Sequence, residues 1–134
     1  MRPRIAQEFA VLRERYPDIE HVENGGEDWF RLPRYPCPPG WEIDGGPVST
    51  LAIAFRLGSG YPQGEPYGFA TAAKITFNGN TPQSAGSACP CPFEGDWQQF
   101  SWAPDGWTPT DDIHKGSNVL AWVRSFAARL REGA

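Results

Sequence analysis

The chain has little of what usually marks a membrane span or a nucleic-acid site. Among its 134 residues there are one Met, two His and three Cys. No apolar run approaches the roughly 18 residues that a membrane-spanning helix needs. No basic run exceeds two residues, and the net charge is −4. A nucleic-acid partner usually needs a clustered basic face, so neither nucleic acid nor a membrane is an expected partner.

The sparse cysteines and the N-terminal segment bear on the compartment. Arg2 and Arg4 are followed by no apolar stretch, which is unlike a signal peptide. The sequence therefore predicts a cytoplasmic protein with free thiols. Structural zinc sites usually take four ligands with C-x2-C spacings, and Cys89 and Cys91 are separated by one residue only. We expect no metal and no cofactor.

Aromatic and turn-forming residues are, in contrast, abundant. The chain holds six Trp, eight Phe and four Tyr, together with 15 Gly and 14 Pro. A chain of this length buries roughly two-thirds of its unfolded surface, so residues 1–134 are expected to form a single domain. The Gly and Pro content predicts that much of the backbone is loop and turn.

Hydrophobic periodicity predicts a helix near each end of the chain. In residues 3–16 the apolar side chains recur every three or four positions, and Pro17 ends the pattern. Residues 117–131 carry a second apolar stripe with helical spacing. Ser117 is the predicted N-cap of that helix, and Gly133 lies just beyond its end.

Strand patterns lie between the two helices. The clearest is residues 51–57, where large apolar residues alternate with Ala and Arg. The remaining segments are predicted as a short strand (28–31), an irregular or Pro-interrupted edge segment (33–47), a second strand (67–77), one long loop (78–96), and a short strand or covering flap (97–102). This order predicts an α+β fold with an antiparallel meander.

Several motifs fall in the order found in ubiquitin-conjugating (UBC) enzymes. They are Tyr61-Pro62 through Pro66, Phe77-Asn78-Gly79-Asn80-Thr81-Pro82, Gly86-Ser87-Ala88-Cys89, and Trp107-Thr108-Pro109 with Ile113. They resemble the Y-P-x-x-x-P turn, the aromatic and His-Pro-Asn segment, the G-x-x-C at the catalytic cysteine and the following W-x-P-x-x-x-I. The resemblance covers about residues 3–131 and implies a UBC-like fold.

Further motifs are similar to the bacterial family-E conjugating-enzyme-like proteins. These are Leu32-Pro33, Gly40-Trp41, and Asp96-Trp97-Gln98-Gln99-Phe100-Ser101. Such proteins belong to operons with a ubiquitin-like protein, an activating enzyme and, in some cases, a deubiquitinase-like protease. The resemblance therefore implies these three proteins as partners.

The resemblance implies that Cys89 carries a ubiquitin-like protein as a thioester, because a thiolate attacks an activated carbonyl well. If the register differs by two, Cys91 takes that role. The two cysteines also allow a redox pair or a shared metal. A loop cysteine without reactivity is the alternative for Cys89.

Two further positions match the family's catalytic set. Asn80, or Asn78, lies where the family has an Asn that donates a hydrogen bond to the oxyanion; Asn-Gly-Asn is also a strong turn signal. Asp112, with Asp111, follows the Trp-Thr-Pro turn where a carboxylate positions the attacking amine. These carboxylates equally suit the N-terminus of the last helix.

Two functions remain open. In the first, the protein accepts a ubiquitin-like protein from an activating enzyme on Cys89 and transfers it to an amine. In the second, it is an inactive UBC-fold module that binds a ubiquitin-like protein or an activating enzyme noncovalently. The His-Pro-Asn histidine is absent, and Cys89 and Trp107 are 18 positions apart, a longer gap than in the eukaryotic enzymes. Both departures favour the second function.

Overall fold

The computed structural model describes residues 1–83 and 85–134, and for residues 85–87 it describes the backbone alone. Within these ranges the helices are α1 (Pro3–Arg15) and α2 (Val119–Glu132). The strands are β1 (Glu20–Asn24), β2 (Glu27–Pro36), β3 (Trp41–Ile43), β4 (Gly46–Pro47), β5 (Thr50–Leu57), β6 (Phe69–Ala72), β7 (Ile75–Phe77), β8 (Ala85–Ala88) and β9 (Trp97–Phe100). No helix of the described chain is long and apolar enough to cross a membrane.

The strands form two antiparallel sheets. The larger sheet has the order β1-β2-β5-β6-β9-β8, and the smaller has the order β4-β3-β7. Along the chain, β1, β2, β5 and β6 follow one another as neighbours, and β3 and β4 are inserted between β2 and β5. The α+β class, the N-terminal helix, the antiparallel sheet and the C-terminal helix are thus confirmed.

Both helices cover one face of the larger sheet, which we call the inner face; the opposite face is the outer face. Strand β5 shows the division. Ile53 and Phe55 enter the main core with both helices, and Phe55 packs edge-on against Phe126 of α2 at 5.7 Å between ring centroids. Ala54 and Arg56 point to the outer face because side chains alternate along a strand. The outer face carries mostly small or polar side chains.

Three sequence predictions were accurate and one was wrong in detail. The two helices and the strand at 51–57 lie within one or two residues of their predicted bounds. The N-cap of α2 is Asn118, not Ser117: the Asn118 side chain accepts a hydrogen bond from the Ala121 N–H at 2.8 Å. Ser117 instead accepts from the Thr108 N–H through its hydroxyl.

The short strands predicted at 28–31 and 97–102 are present, the first as part of β2 and the second as β9. The other strand predictions were wrong or incomplete. Strand β1 was not predicted, and β2 extends through Pro33 to Pro36 because the register shifts between Leu32 and Tyr35. A proline is tolerated at such a bulge, because no hydrogen bond of the ladder requires an N–H at that position. The predicted strand 67–77 is broken: β6 belongs to the larger sheet and β7 to the smaller one. The predicted loop 78–96 contains β8, which pairs with β9.

Tyr35 links β2 to α2 and makes stability sensitive to alkaline pH. Its hydroxyl donates to the Val123 carbonyl at 2.7 Å, and burial raises its pKa. In the unfolded chain a tyrosine ionises near pH 10. Each unit by which the folded pKa exceeds the unfolded pKa corresponds to about 1.4 kcal/mol of free energy of unfolding. The folded pKa is the higher one, so the contribution is complete below about pH 10 and is lost as pH rises above it.

We therefore expect the wild-type free energy of unfolding to fall more steeply between about pH 9 and about pH 11 than that of Tyr35→Phe. Denaturant titrations at several pH values measure both slopes. Tyr67→Phe is the matched control because Tyr67 is exposed. Equal slopes for wild type and Tyr35→Phe would contradict this reading of the buried phenol.

Candidate functional site

The Tyr-Pro turn and the Trp-x-Pro turn contact each other, although 45 residues separate them. The Trp107 indole N–H donates to the Pro62 carbonyl at 2.7 Å, and the Tyr61 and Trp107 rings lie 5.9 Å apart. The guanidinium of Arg2 donates to the carbonyls of Gly58 and Tyr61. The two motifs therefore form one unit that is joined to the start of α1.

A second pair of motifs also meets. The Trp41 ring lies edge-on to Phe77 at 5.2 Å, and the Asn78 N–H donates to the Gly40 carbonyl at 2.9 Å. Gly40 has φ +113°, and a Cβ there would lie 2.5 Å from the Phe77 ring. Only glycine fits this close approach. The Gly-Trp segment and the Phe-Asn-Gly-Asn segment are thus packed together.

Asn80 lies in the turn that follows β7. Phe77 and Asn80 exchange backbone hydrogen bonds at 2.9 Å. Between them, Asn78 and Gly79 have φ values of 49° and 80°, which suits the tight turn that Asn-Gly favours. Asn80 is exposed, and its amide donates only to the Asn78 carbonyl among its described contacts. Asn80 thus holds a turn position, and none of its described contacts reaches Cys89.

Asp112 lies in the loop that precedes α2. It is exposed, and its carboxylate accepts from the His114 N–H at 2.9 Å. His114 and Asn118 line a cleft together with Glu8 of α1. This region belongs to the side of the sheet that the helices cover, whereas Cys89 lies on the outer face. The described contacts therefore do not bring Asp112 to Cys89 either.

Cys89 and Cys91 lie in the segment that folds back over the outer face after β8. The Cys89 N–H donates to the Trp97 carbonyl at 2.8 Å. Both cysteines are half-buried and pack against a small apolar cluster formed by Ala54, Ala70 and Trp97. Small residues on these strands leave room for the segment, so it lies close to the sheet.

Cys89 also borders a shallow depression on the outer face, with a volume of about 10 Å³. A cavity of that size has room for about one water molecule. The residues that line it include Trp29, Arg56, Tyr67, Cys89 and Gln99. Gly68 forms part of its wall with φ +74°, and a Cβ there would lie 2.5 Å from the Gln99 amide nitrogen.

The surroundings of both cysteines disfavour the thiolate form. Burial raises the pKa of Cys89, and Cys91 raises it further, while Arg56 acts in the opposite direction. Burial likewise raises the pKa of Cys91, opposed by the Phe93 backbone and Arg31. Because the thiolate is the nucleophile, a raised pKa makes either residue a weak one near pH 7.

Sequence reasoning missed most of the residues around the depression. Arg56, Tyr67 and Gln99 come from three separate segments that only the sheet brings together. One signal was present: Ala52, Ala54 and Arg56 occupy the alternate positions of β5. Small residues on an outward-facing strand position indicate that something covers it.

In the described part of the chain, no group of three or more His, Cys, Asp or Glu side chains is placed to hold a metal ion. Comparison with known proteins found no matching family model, no matching curated protein and no matching solved structure. The relation to UBC enzymes therefore stays a prediction from motifs and spacing.

Proposed function

We propose that this protein is a UBC-like module that holds a ubiquitin-like protein noncovalently. The observation that carries the proposal is the contact between motifs that were selected for their resemblance to UBC enzymes. Trp107 bonds to Pro62, and Trp41 packs on Phe77. Such contacts between motifs far apart in sequence are what a UBC-like arrangement requires.

The surroundings of Cys89 support binding over transfer. The thiol pKa is raised by burial, and Asn80 and Asp112 are engaged in local turns elsewhere. A transfer enzyme needs an activated nucleophile and donors placed at the developing oxyanion. None of the described contacts of Asn80 or Asp112 reaches Cys89.

The rim of the outer-face depression is the surface that we assign to the partner. Tyr67 is 55% exposed, and the Arg56 guanidinium lies 5.6 Å over the Trp29 ring. Tyr, Trp and Arg are the residue types that most often dominate binding energy at protein interfaces. Arg56 also places a guanidinium at this surface, where it forms an ion pair with Glu27 at 3.4 Å.

We expect Tyr67→Ala to weaken binding of the ubiquitin-like protein encoded in the same genome by about tenfold or more, the usual cost of losing an aromatic anchor. Isothermal titration calorimetry with that protein measures the change. Val11→Ala is the matched control, because Val11 is a partly exposed apolar residue of α1 that lines the cleft beside Glu8 and His114, on the side of the sheet that the helices cover. Equal losses in the two variants would place the binding surface elsewhere.

A second function, acceptance of a ubiquitin-like protein as a thioester on Cys89, has one observation in its favour. Cys89 shares its depression with Gln99 and Arg56. Arg56 lowers the pKa of Cys89, although burial outweighs it, and the Gln99 amide supplies hydrogen-bond donors of the kind that stabilise an oxyanion. Incubation with the activating enzyme, the ubiquitin-like protein and ATP, followed by a non-reducing gel, tests this function.

A further inference from the structure

The backbone between Cys89 and Cys91 is closed into a tight turn. The Cys91 N–H donates to the Cys89 carbonyl at 2.9 Å. This bond between residues i and i+2 defines a γ-turn, in which the central residue has φ near −75°. Pro90 is the central residue, and its ring already fixes φ close to that value. The turn is therefore held both by a hydrogen bond and by the proline ring.

This turn places the two cysteines at a separation that suits a disulfide. Two fully extended residues span at most about 7 Å between Cα atoms, and a turn shortens that span. Disulfides join Cα atoms that are usually about 4.4 to 6.8 Å apart. Both cysteines also pack against the same outer-face cluster of Ala54, Ala70 and Trp97. Their side chains consequently share one side of the segment.

We propose that Cys89 and Cys91 are a dithiol site that forms an intramolecular disulfide by exchange with a small-molecule disulfide of the glutathione class. One cysteine thiol loses its proton, and the resulting thiolate attacks a sulfur of the glutathione disulfide, whose S–S bond breaks and releases one glutathione thiolate. The second cysteine thiol then loses its proton, and its thiolate attacks the protein sulfur of the mixed disulfide and releases the second glutathione. The two cysteine protons end on the two glutathione thiolates, so the protein is oxidised by two electrons and the glutathione disulfide is reduced.

Cys37 is excluded from this pair and serves as a control. It packs against the main core, and its sulfur donates to the Val48 carbonyl at 3.7 Å. Cys89 and Cys91 belong to the separate outer-face cluster.

A disulfide that closes a very short ring is strained, and strained disulfides are the readily reduced ones. The site is therefore one that cycles between dithiol and disulfide.

The test incubates the full chain with excess glutathione disulfide, quenches with acid, alkylates the remaining thiols and measures the intact mass. Wild type is expected to lose two hydrogens, to retain one alkylatable thiol and to carry no glutathione. Cys37→Ser is expected to lose two hydrogens and to retain no thiol. Cys89→Ser and Cys91→Ser have no resolving thiol, so they are expected to accumulate roughly tenfold or more mixed disulfide than wild type.

A second variant tests the turn itself. Pro90→Gly keeps both thiols and relaxes the segment between them, so the yield of intramolecular disulfide relative to mixed disulfide should fall about twofold to fivefold. Thermal unfolding of each variant establishes that it is folded. A stable glutathione adduct on wild-type Cys89 or Cys91, or a disulfide to Cys37, would overturn the proposal. No ubiquitin-like protein enters this test, so its outcome is independent of the proposed function.

Discussion

Replacement of Glu8 by Ala is expected to lower the free energy of unfolding by about 3 to 5 kcal/mol. Glu8 lies on α1, is only 2% exposed, and joins three elements through its carboxylate. One oxygen accepts from the Tyr61 hydroxyl at 2.6 Å and from the Arg4 guanidinium at 2.8 Å. The other accepts from the Val119 N–H at 2.7 Å. The carboxylate thus holds α1, the Tyr-Pro turn and the start of α2 together.

The size of the effect follows from what Glu8→Ala leaves behind. The Val119 N–H belongs to the first turn of α2 and has no partner within the helix. The Tyr61 hydroxyl is buried as well, and its pKa is raised by that burial and by its bond to Glu8. Each buried group left unpaired costs about 1 to 3 kcal/mol, and more where it is charged. Glu8→Ala leaves the donors of Arg4, Tyr61 and Val119 without their acceptor at the same time, so we expect a large loss of stability.

Urea unfolding of Glu8→Ala and Glu14→Ala measures the difference. Glu14 lies on the same helix but is exposed, so its replacement is expected to change stability by no more than about 0.5 kcal/mol. Glu8→Gln retains an acceptor oxygen and should lose less than Glu8→Ala. If Glu8→Ala and Glu14→Ala unfold at the same urea concentration, the carboxylate does not hold these elements together.

Trp41→Ala is expected to cost about 3 to 5 kcal/mol, as large aromatic truncations in cores do. The Trp41 side chain is fully buried. Its indole N–H donates to the Leu130 carbonyl of α2 at 3.0 Å, and its ring packs against Phe77. Truncation would open a cavity between the smaller sheet and α2, and would remove one of the two hydrogen bonds that the Leu130 carbonyl accepts, the other coming from the Gly133 N–H at 3.3 Å.

Trp102→Ala is the matched control for Trp41→Ala. Trp102 is half-buried, and its indole N–H donates to the Ser125 hydroxyl at 3.1 Å. Each variant loses one tryptophan and one hydrogen bond from its indole N–H to a residue of α2. Trp102→Ala is expected to cost less because less of its surface is buried. An equal or larger loss for Trp102→Ala, measured by urea unfolding, would contradict the central position given to Trp41.

Helices and one strand were predictable from the sequence because their patterns are strong and local. The apolar stripe of α2 and the alternation of β5 each follow a single period over many residues. The smaller sheet was not predictable in this way. Its strands are two or three residues long, too short to show a period, and β3 pairs with β7, which lies far along the chain.

Strand β8 shows the same limit in another form. Its sequence, Ala-Gly-Ser-Ala, has the composition of a loop. It is a strand because it pairs with β9. That pairing depends on tertiary structure, which local propensity does not predict. The extension of β2 through Pro33 likewise depends on a bulge opposite β5.

The candidate site was likewise predictable only in part. Cys89 and Cys91 were identifiable as chemistry-bearing residues because cysteines are few. Which side chains surround them was not, because Arg56, Tyr67 and Gln99 reach the depression from separate strands and turns. For Asn80 the turn signal in the sequence was the better guide, since the structure places Asn78 and Gly79 at the centre of a tight turn.

One measurement tests the central claim most directly. The protein is mixed with the ubiquitin-like protein and the activating enzyme from the same genome, with and without ATP, and analysed by size-exclusion chromatography and a non-reducing gel. A noncovalent binding module is expected to form a complex without ATP that persists in Cys89→Ser and is lost in Tyr67→Ala, with no thiol-sensitive adduct. An ATP-dependent adduct that a reducing agent removes and that Cys89→Ser abolishes would contradict it. So would a charged activating enzyme together with no complex at all.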